Sequence, residues 1–357
     1  RGIELYSSRL SSNVTEWDGD ISRGSVQPNQ LSGKSLSATG LEGWSKCPYS
    51  YFLGHILGLK ALDTPEDIVT ISALDKGSLV HRILERAINE EIGLRGRLQG
   101  DALDLSQYSQ LIFRLAEEEF ERAVKQGITG KPILWATVKE DILRDLLAWV
   151  ELDSTWRREN GFSPIWAEKS FGFSGKDSLE ALTISLKDGV ELSFRGMIDR
   201  VDISDDGKSV VVTDYKTGSP YSYRNMKDDP LDSGRKLQLP IYAMAAKRAM
   251  EGLEHAVGGY WFVSTAANFE RKIVDLNEVE DRFIDVIGQI SAGIQSGLFP
   301  ANPGPPARKG PENCGFCDFD RICPTGRTHL WERKNGDDRL INYNNLKLTG
   351  IDEGGQE

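Results

Sequence analysis

Apolar positions along the chain fall first at helical and then at strand spacing. In KGSLVHRILERAINEEIG (residues 76–93), Leu79/Val80, Ile83/Leu84 and Ala87/Ile88 recur three to four apart, which predicts an amphipathic helix. Upstream, SATGLEGWSKCPYSYFLGHILGL (37–59) has helical spacing, with Ser37 or Thr39 placed as a cap and Pro48 placed to interrupt. The segment 60–76 reads as a loop, and two further long helices are predicted over roughly 107–126 and 136–160. From about 165 the period changes to two. IWAEKSFGF, LTISLKDGVELSFRGMIDRVDIS and SVVVTDYKTG read as successive antiparallel strands, with turns at Asp188-Gly189 and Asp206-Gly207. RKLQLPIYAMAAKRAMEG predicts another helix, GGYWFVST and ERKIVDL two strands, and 278–297 a last long helix. Residues 1–36 read as an extended, polar lead-in and the segment after 327 as a weakly patterned tail. The pattern therefore predicts an α/β chain: a helical front half, a mixed sheet flanked by helices, and a cysteine module joining both ends.

Composition narrows the class without choosing a function. The 357 residues are 39% hydrophobic and 27% charged, which describes a globular protein. No stretch approaches the roughly 20 apolar residues of a membrane span. The opening RGIELYSSRL lacks a methionine and a signal-peptide core, so the expectation is a cytoplasmic chain cut from a longer protein. A net charge of −11 argues against nonspecific coating of nucleic acid but leaves room for a local basic channel.

The chemistry concentrates at two strand ends. In VTDYKTGSPY the apolar run finishes on Asp214 and Lys216, two apart and so on one face. Asp199 closes the preceding strand of the same hairpin. Carboxylates brought together repel unless a cation joins them, and Mg²⁺ favours such ligands. A nearby lysine would orient the attacking water or stabilise the phosphoryl transition state. A plain surface ion pair is the alternative reading of Asp214 and Lys216.

GMIDRVD…TDYKTG resembles the core of the PD-(D/E)XK nucleases of the RecB type. GSLVHRILE resembles their helical motif, and QLPIY, running from Gln238 to Tyr242, their Gln-x-x-x-Tyr motif. The resemblance covers roughly 37–327 and implies a restriction-endonuclease-like fold. It implies Asp199, Asp214 and His81 as ligands of Mg²⁺ or Mn²⁺, with Lys216, Gln238 and Tyr242 beside them. Glu168 is a candidate supporting residue from a neighbouring strand. Without the family, His81 reads as a structural histidine, and Gln238 and Tyr242 as a helix face packed on the sheet.

Four cysteines divide one plus three: Cys47 near the start, and Cys314, Cys317 and Cys323 in CGFCDFDRIC. Four thiolates suit zinc or an iron–sulfur cluster, and spacing does not separate the two. The layout resembles the iron–sulfur staple of AddB-type nucleases, which implies a [4Fe–4S] cluster on those four residues. By the same resemblance, SSNVTEWDGDI is similar to the segment that joins helicase and nuclease regions.

These expectations divide the chain into a lead-in (1–36), a nuclease domain (37–327) with a helical insertion (about 77–160), sheet core (about 165–297) and staple (47 and 314–323), and a tail (328–357). The expected function is metal-dependent, exonucleolytic DNA hydrolysis within a helicase–nuclease of recombinational repair. Its partners would be DNA and a helicase region or subunit. The rivals are a stand-alone CRISPR-type exonuclease, a zinc-stapled enzyme, and a non-catalytic DNA-binding module. Arg200, Arg224, Arg235, Lys236 and Arg308/Lys309 are candidate DNA contacts. No Walker A loop is present, so no ATPase activity is expected of this stretch.

Overall fold

Three long helices build one layer of the fold. A computed structural model describes residues 2–22, 31, 33–60, 68–98, 104–308 and 310–348. Helices α4 (Ala73–Leu98), α5 (Leu105–Lys125) and α6 (Pro132–Asn160) follow the short helices α1 (Gly2–Leu10), α2 (Ala38–Lys46) and α3 (Pro48–Tyr51). Their ends are fixed locally. Asp104 and Gln107 form a capping box on α5, while α6 starts at a proline and stops at left-handed Gly161. Cys47 stands in extended backbone between α2 and α3, where the proline restarts the helix. The predicted loop at 60–76 lies partly outside the described residues, at 61–67, and its last residues already belong to α4.

The main sheet has the order β2-β5-β6-β7-β8, from β2 (Phe162–Phe171), β5 (Gly196–Ser204), β6 (Ser209–Lys216), β7 (His255–Phe262) and β8 (Arg271–Asp275). The expected antiparallel pairing holds for β2 with β5 and for β5 with β6. β6 and β7 pair in parallel, joined through helix α7 (Gln238–Ala249). Strands β3 (Leu182–Ser185) and β4 (Glu191–Phe194) leave the main sheet and join β1 (Ser35–Leu36) in a small one. Leu79, Ile83 and Leu84 of α4 and Trp149 of α6 pack on Tyr215 and Trp261 of the sheet. On the other face, Val201, Val210 and Val212 meet Ile241 of α7 and Phe283 and Ile287 of α8 (Leu276–Gln295). The sheet is thus buried between helical layers, which explains the uninterrupted VVV run. No helix among the described residues is long and apolar enough to cross a membrane.

Both chain ends depart from their sequence reading. The lead-in is not extended throughout: it begins with α1 and turns through a capping box at Thr15 and Asp18. The tail forms α9 (Arg327–Lys334) and α10 (Ile341–Leu348), and Tyr343 and Leu346 enter the main core. The two ends clasp each other. Buried Lys334 donates to the carbonyls of Ser8 (2.8 Å) and Asn13 (2.6 Å) and pairs with Asp18 at 2.9 Å. Asp337 accepts from the Val14 amide and from Arg339, both at 2.7 Å.

Hydrogen bonding from Arg339 outweighs burial and holds the Asp337 carboxyl down at about 2. The unfolded value is about 3.9, so folding favours the ionised form. This contribution is complete above the unfolded pKa and is lost as pH falls through the folded one. Melting curves should therefore show wild type more stable than Asp337→Asn at about pH 6, with the difference shrinking below about pH 4 and nearly gone below about pH 2. A difference independent of pH would remove the charge from the account.

Candidate active site

Strands β5 and β6 separate where the acids sit. Their ladder ends at Arg200–Thr213, one residue short of Asp199 and Asp214. Beyond it, the Tyr215 amide donates to Asp199 Oδ2 at 2.7 Å instead of to backbone. Asp199, Asp214 and Lys216 face the α7 side, while Arg200 and Tyr215 face the long helices.

His81 reaches this spot from α4. Its Nε2 lies 3.0 Å from the Tyr215 carbonyl, which assigns the proton of the neutral ring to Nε2. Nδ1 faces Asp199 Oδ2 (3.4 Å) and Glu168 Oε1 (3.9 Å). One ligand atom from each of His81, Glu168 and Asp199 lies within 4.8 Å of the others. Glu168 adopts φ = +45° on β2 between the Ala167–Arg200 and Lys169–Ile198 pairs, a costly conformation for a non-glycine residue. The structure thus gives Glu168 the place in the trio that the sequence reading gave to Asp214. Asp214 lies alongside, ion-paired to Lys216.

Charge is unevenly balanced in this cluster. Burial opposes a charged His81, yet Asp199 and Glu168 outweigh it and lift the imidazole to about 10. Burial pushes the Asp214 carboxyl up; Lys216 opposes this and Asp199 adds to it, leaving it at about 7. Three carboxylates converge on too little positive charge, and protons fill the deficit. With oxygen donors and one imidazole, the donor set fits a divalent cation of the Mg²⁺ or Mn²⁺ kind. Burial works against the Lys216 ammonium, but Asp214 outweighs it and raises the pKa, so Lys216 stays cationic.

Helix α7 supplies the remaining side. Lys216 Nζ donates to Gln238 Oε1 at 3.4 Å, and Gln238 Nε2 donates to the Tyr242 hydroxyl at 3.1 Å. Burial raises that phenol to about 12, so it too stays protonated. Gly196 is required here, because a Cβ would come within 2.8 Å of the Tyr242 and Phe171 rings. Glu42 of α2 accepts the amides of Leu237 (2.7 Å) and Gln238 (3.0 Å), capping the α7 N-terminus that Leu237 cannot cap itself. Sequence reasoning missed Glu42, since no local pattern links positions 195 residues apart.

Among the expected DNA contacts, Arg200 is corrected. It is fully buried, 2.6 Å from both Asp153 and Asp202, and reaches no solvent. Arg224 is at the surface, paired with Glu312 at 3.0 Å, and Arg308 is exposed. Arg235 and Lys236 lie just before α7, on a groove that they share with Arg224. Lys309 lies outside the described residues.

Cys47, Cys314, Cys317 and Cys323 are all unpaired by disulfides and line one cavity of ≈ 330 Å³ with Asn302, Asn313 and Arg327. Burial raises the Cys47 thiol, and the neighbouring backbone amides of Ser50, Asn302 and Tyr49 act against it. Burial pushes the Cys323 thiol to about 11 against the pull of Arg327. The four sulfurs line one pocket beside a guanidinium, and four thiolates are a donor set that serves zinc or an iron–sulfur cluster, although no three of them lie within 4.8 Å of one another. The Asn313 side-chain amide ties the Lys46 carbonyl (2.8 Å) to that of Asn302 (3.2 Å), and so joins the two ends of the cysteine set.

A family model described as PD-(D/E)XK nuclease superfamily matches residues 35–324. The chain is 27% identical over 257 residues to an ATP-dependent helicase/deoxyribonuclease subunit of Clostridium botulinum (strain Loch Maree / Type A3), covering 70% of this chain and 21% of that protein. It is 28% identical over 198 residues to the like-named subunit of Geobacillus thermodenitrificans, covering 53% of this chain and 16% of that one. The chain therefore spans about a fifth of the length of the curated relatives it matches.

Proposed function

The chain belongs to the PD-(D/E)XK nuclease superfamily, and from that premise we propose that it hydrolyses DNA phosphodiesters with a divalent cation, as the nuclease portion of a helicase–nuclease. The observation that carries this reading is the trio His81, Glu168 and Asp199 within 4.8 Å, beside the buried Asp214–Lys216 pair. When bound, Mg²⁺ or Mn²⁺ would neutralise charge on the scissile phosphate and acidify a water.

The side chains have separable tasks. Glu168, Asp199 and His81 would hold the cation, and Asp214 would add a carboxylate from the next strand. The Tyr215 carbonyl fixes the His81 tautomer. Lys216, whose ammonium Asp214 favours, stabilises negative charge on the phosphate. Gln238 and Tyr242 hold the ammonium in place through the 3.4 Å and 3.1 Å contacts. We assign the four thiolates a structural [4Fe–4S] cluster that fastens α2 to the C-terminal loop. Exonucleolytic cutting of DNA in double-strand-break repair, beside a helicase, completes the proposal; the similarity to helicase/deoxyribonuclease subunits supports the helicase partner.

Incubation of end-labelled single- and double-stranded DNA with anaerobically prepared protein tests the reading. Cutting should require Mg²⁺ or Mn²⁺, stop with EDTA, and vanish in Asp214→Ala. Cutting that survives either treatment would sink it. The colour of the protein separates the two metal centres, since a cluster absorbs in the visible and zinc does not.

A further inference from the structure

We propose that the groove between the active site and the cysteine module is a single-strand binding track, in which Tyr221 and Phe316 stack on unpaired bases while Lys46, Arg224, Arg235 and Lys236 hold the phosphates. The proposal rests on the nuclease reading and adds to it a substrate form and a path.

The groove is open along one side and encloses ≈ 1310 Å³ including its open mouth. Its near end adjoins the helix that carries Gln238 and Tyr242: Glu42, which lines the groove, accepts the Gln238 amide at 3.0 Å, and Lys236 lies 3.6 Å above the Tyr223 ring. Its far end is the loop of Asn313 and Phe316, beside Cys314 and Cys317.

Four cations line it in a chain whose net charge is −11. Its acids are engaged: Glu42 caps α7, Asp232 accepts from Asn225 at 2.9 Å, and Glu312 pairs with Arg224. Lys46, Arg235 and Lys236 form no close salt bridge among the described residues, although Glu42 and Asp232 lie near enough to attract Lys236 and Asp232 to attract Arg235.

Phe316 is 90% exposed and Tyr221 68% exposed, and both open onto this groove. Arg224 covers one face of Tyr221 at 4.2 Å and stiffens it. Single exposed rings need no explanation. Two on one cationic groove match the way single strands are held, by base stacking with phosphates on basic side chains. Bases within a duplex are already stacked and cannot use the rings.

Anisotropy of a labelled oligothymidylate in EDTA, where no cutting occurs, provides the test. Tyr221→Ala/Phe316→Ala should bind at least about tenfold more weakly than wild type with an unchanged melting temperature. An abasic oligonucleotide should bind both proteins equally. Arg235→Ala/Lys236→Ala should flatten the salt dependence by about 0.7 for each phosphate no longer neutralised. Equal binding of thymidylate by wild type and the ring variant, or duplex binding as tight as single-strand binding, would overturn the track. Metal-dependent cutting alongside that result would leave the nuclease reading standing, whereas ring-dependent binding without any cutting would keep the track and sink the nuclease.

Discussion

Lys216→Ala should lower DNA cleavage by about 10²–10³-fold, measured at a temperature where the variant is still folded. The magnitude is that of removing one preorganised charge donor from a transition state. The direction follows from geometry: Lys216 is paired to Asp214, anchored by Gln238, and kept cationic by its neighbours. The lost ammonium leaves the trio of His81, Glu168 and Asp199 in place, so Mn²⁺ should still bind, as read by its electron paramagnetic resonance signal. Lys216→Arg keeps the charge but not the fit to Gln238 and should recover only part of the rate. Cleavage by Lys216→Ala within about tenfold of wild type would reduce the residue to a structural ion pair.

How far the sequence reached depends on the range of the interaction. The amphipathic stripes of α4, α5 and α6, the proline break after Cys47 and the strand-ending acids are local patterns, and they appear where the pattern puts them. The split of β3 and β4 into a second sheet is not local; it depends on β1, over 150 residues away, offering a parallel edge to β4. Helix α1 escaped notice because nine residues carry little helical tendency alone, and this helix is held by contacts to the far end of the chain. At the site, alternation put Asp214 and Lys216 on one face, and the hairpin brought Asp199 beside them. Glu168 needed a left-handed backbone on an adjacent strand to turn inward, which no spacing rule contains. Arg200 failed in the opposite way. Its place next to Asp199 suggested a DNA contact, but alternation sends neighbouring residues to opposite faces, and that face lies under the helices.

Arg200 carries the second large effect. Arg200→Met should destabilise the fold by about 3–5 kcal/mol, the usual cost of breaking a buried ion pair from one side. Its guanidinium lies between Asp153 and Asp202 at 2.6 Å each, and Asp153 is shared at 2.9 Å with Arg157, which holds Glu91 at 2.6 Å. Removing Arg200 leaves two buried carboxylates without that cation, a deficit which relaxation of Arg157 alone cannot cover. The chain of charges also ties α6 and α4 to β5. Glu91 and His81 share α4, and Asp199 precedes Arg200, so loosening the chain should move His81 relative to Asp199 as well. Urea denaturation should therefore show a lower midpoint for Arg200→Met, with cleavage falling even under conditions where the variant is folded. A surface DNA contact would behave otherwise: the midpoint would hold, and only DNA affinity and its salt dependence would change. The two outcomes lie on different axes, one measured without DNA and one requiring it, so a single variant decides whether this arginine serves the scaffold or the substrate.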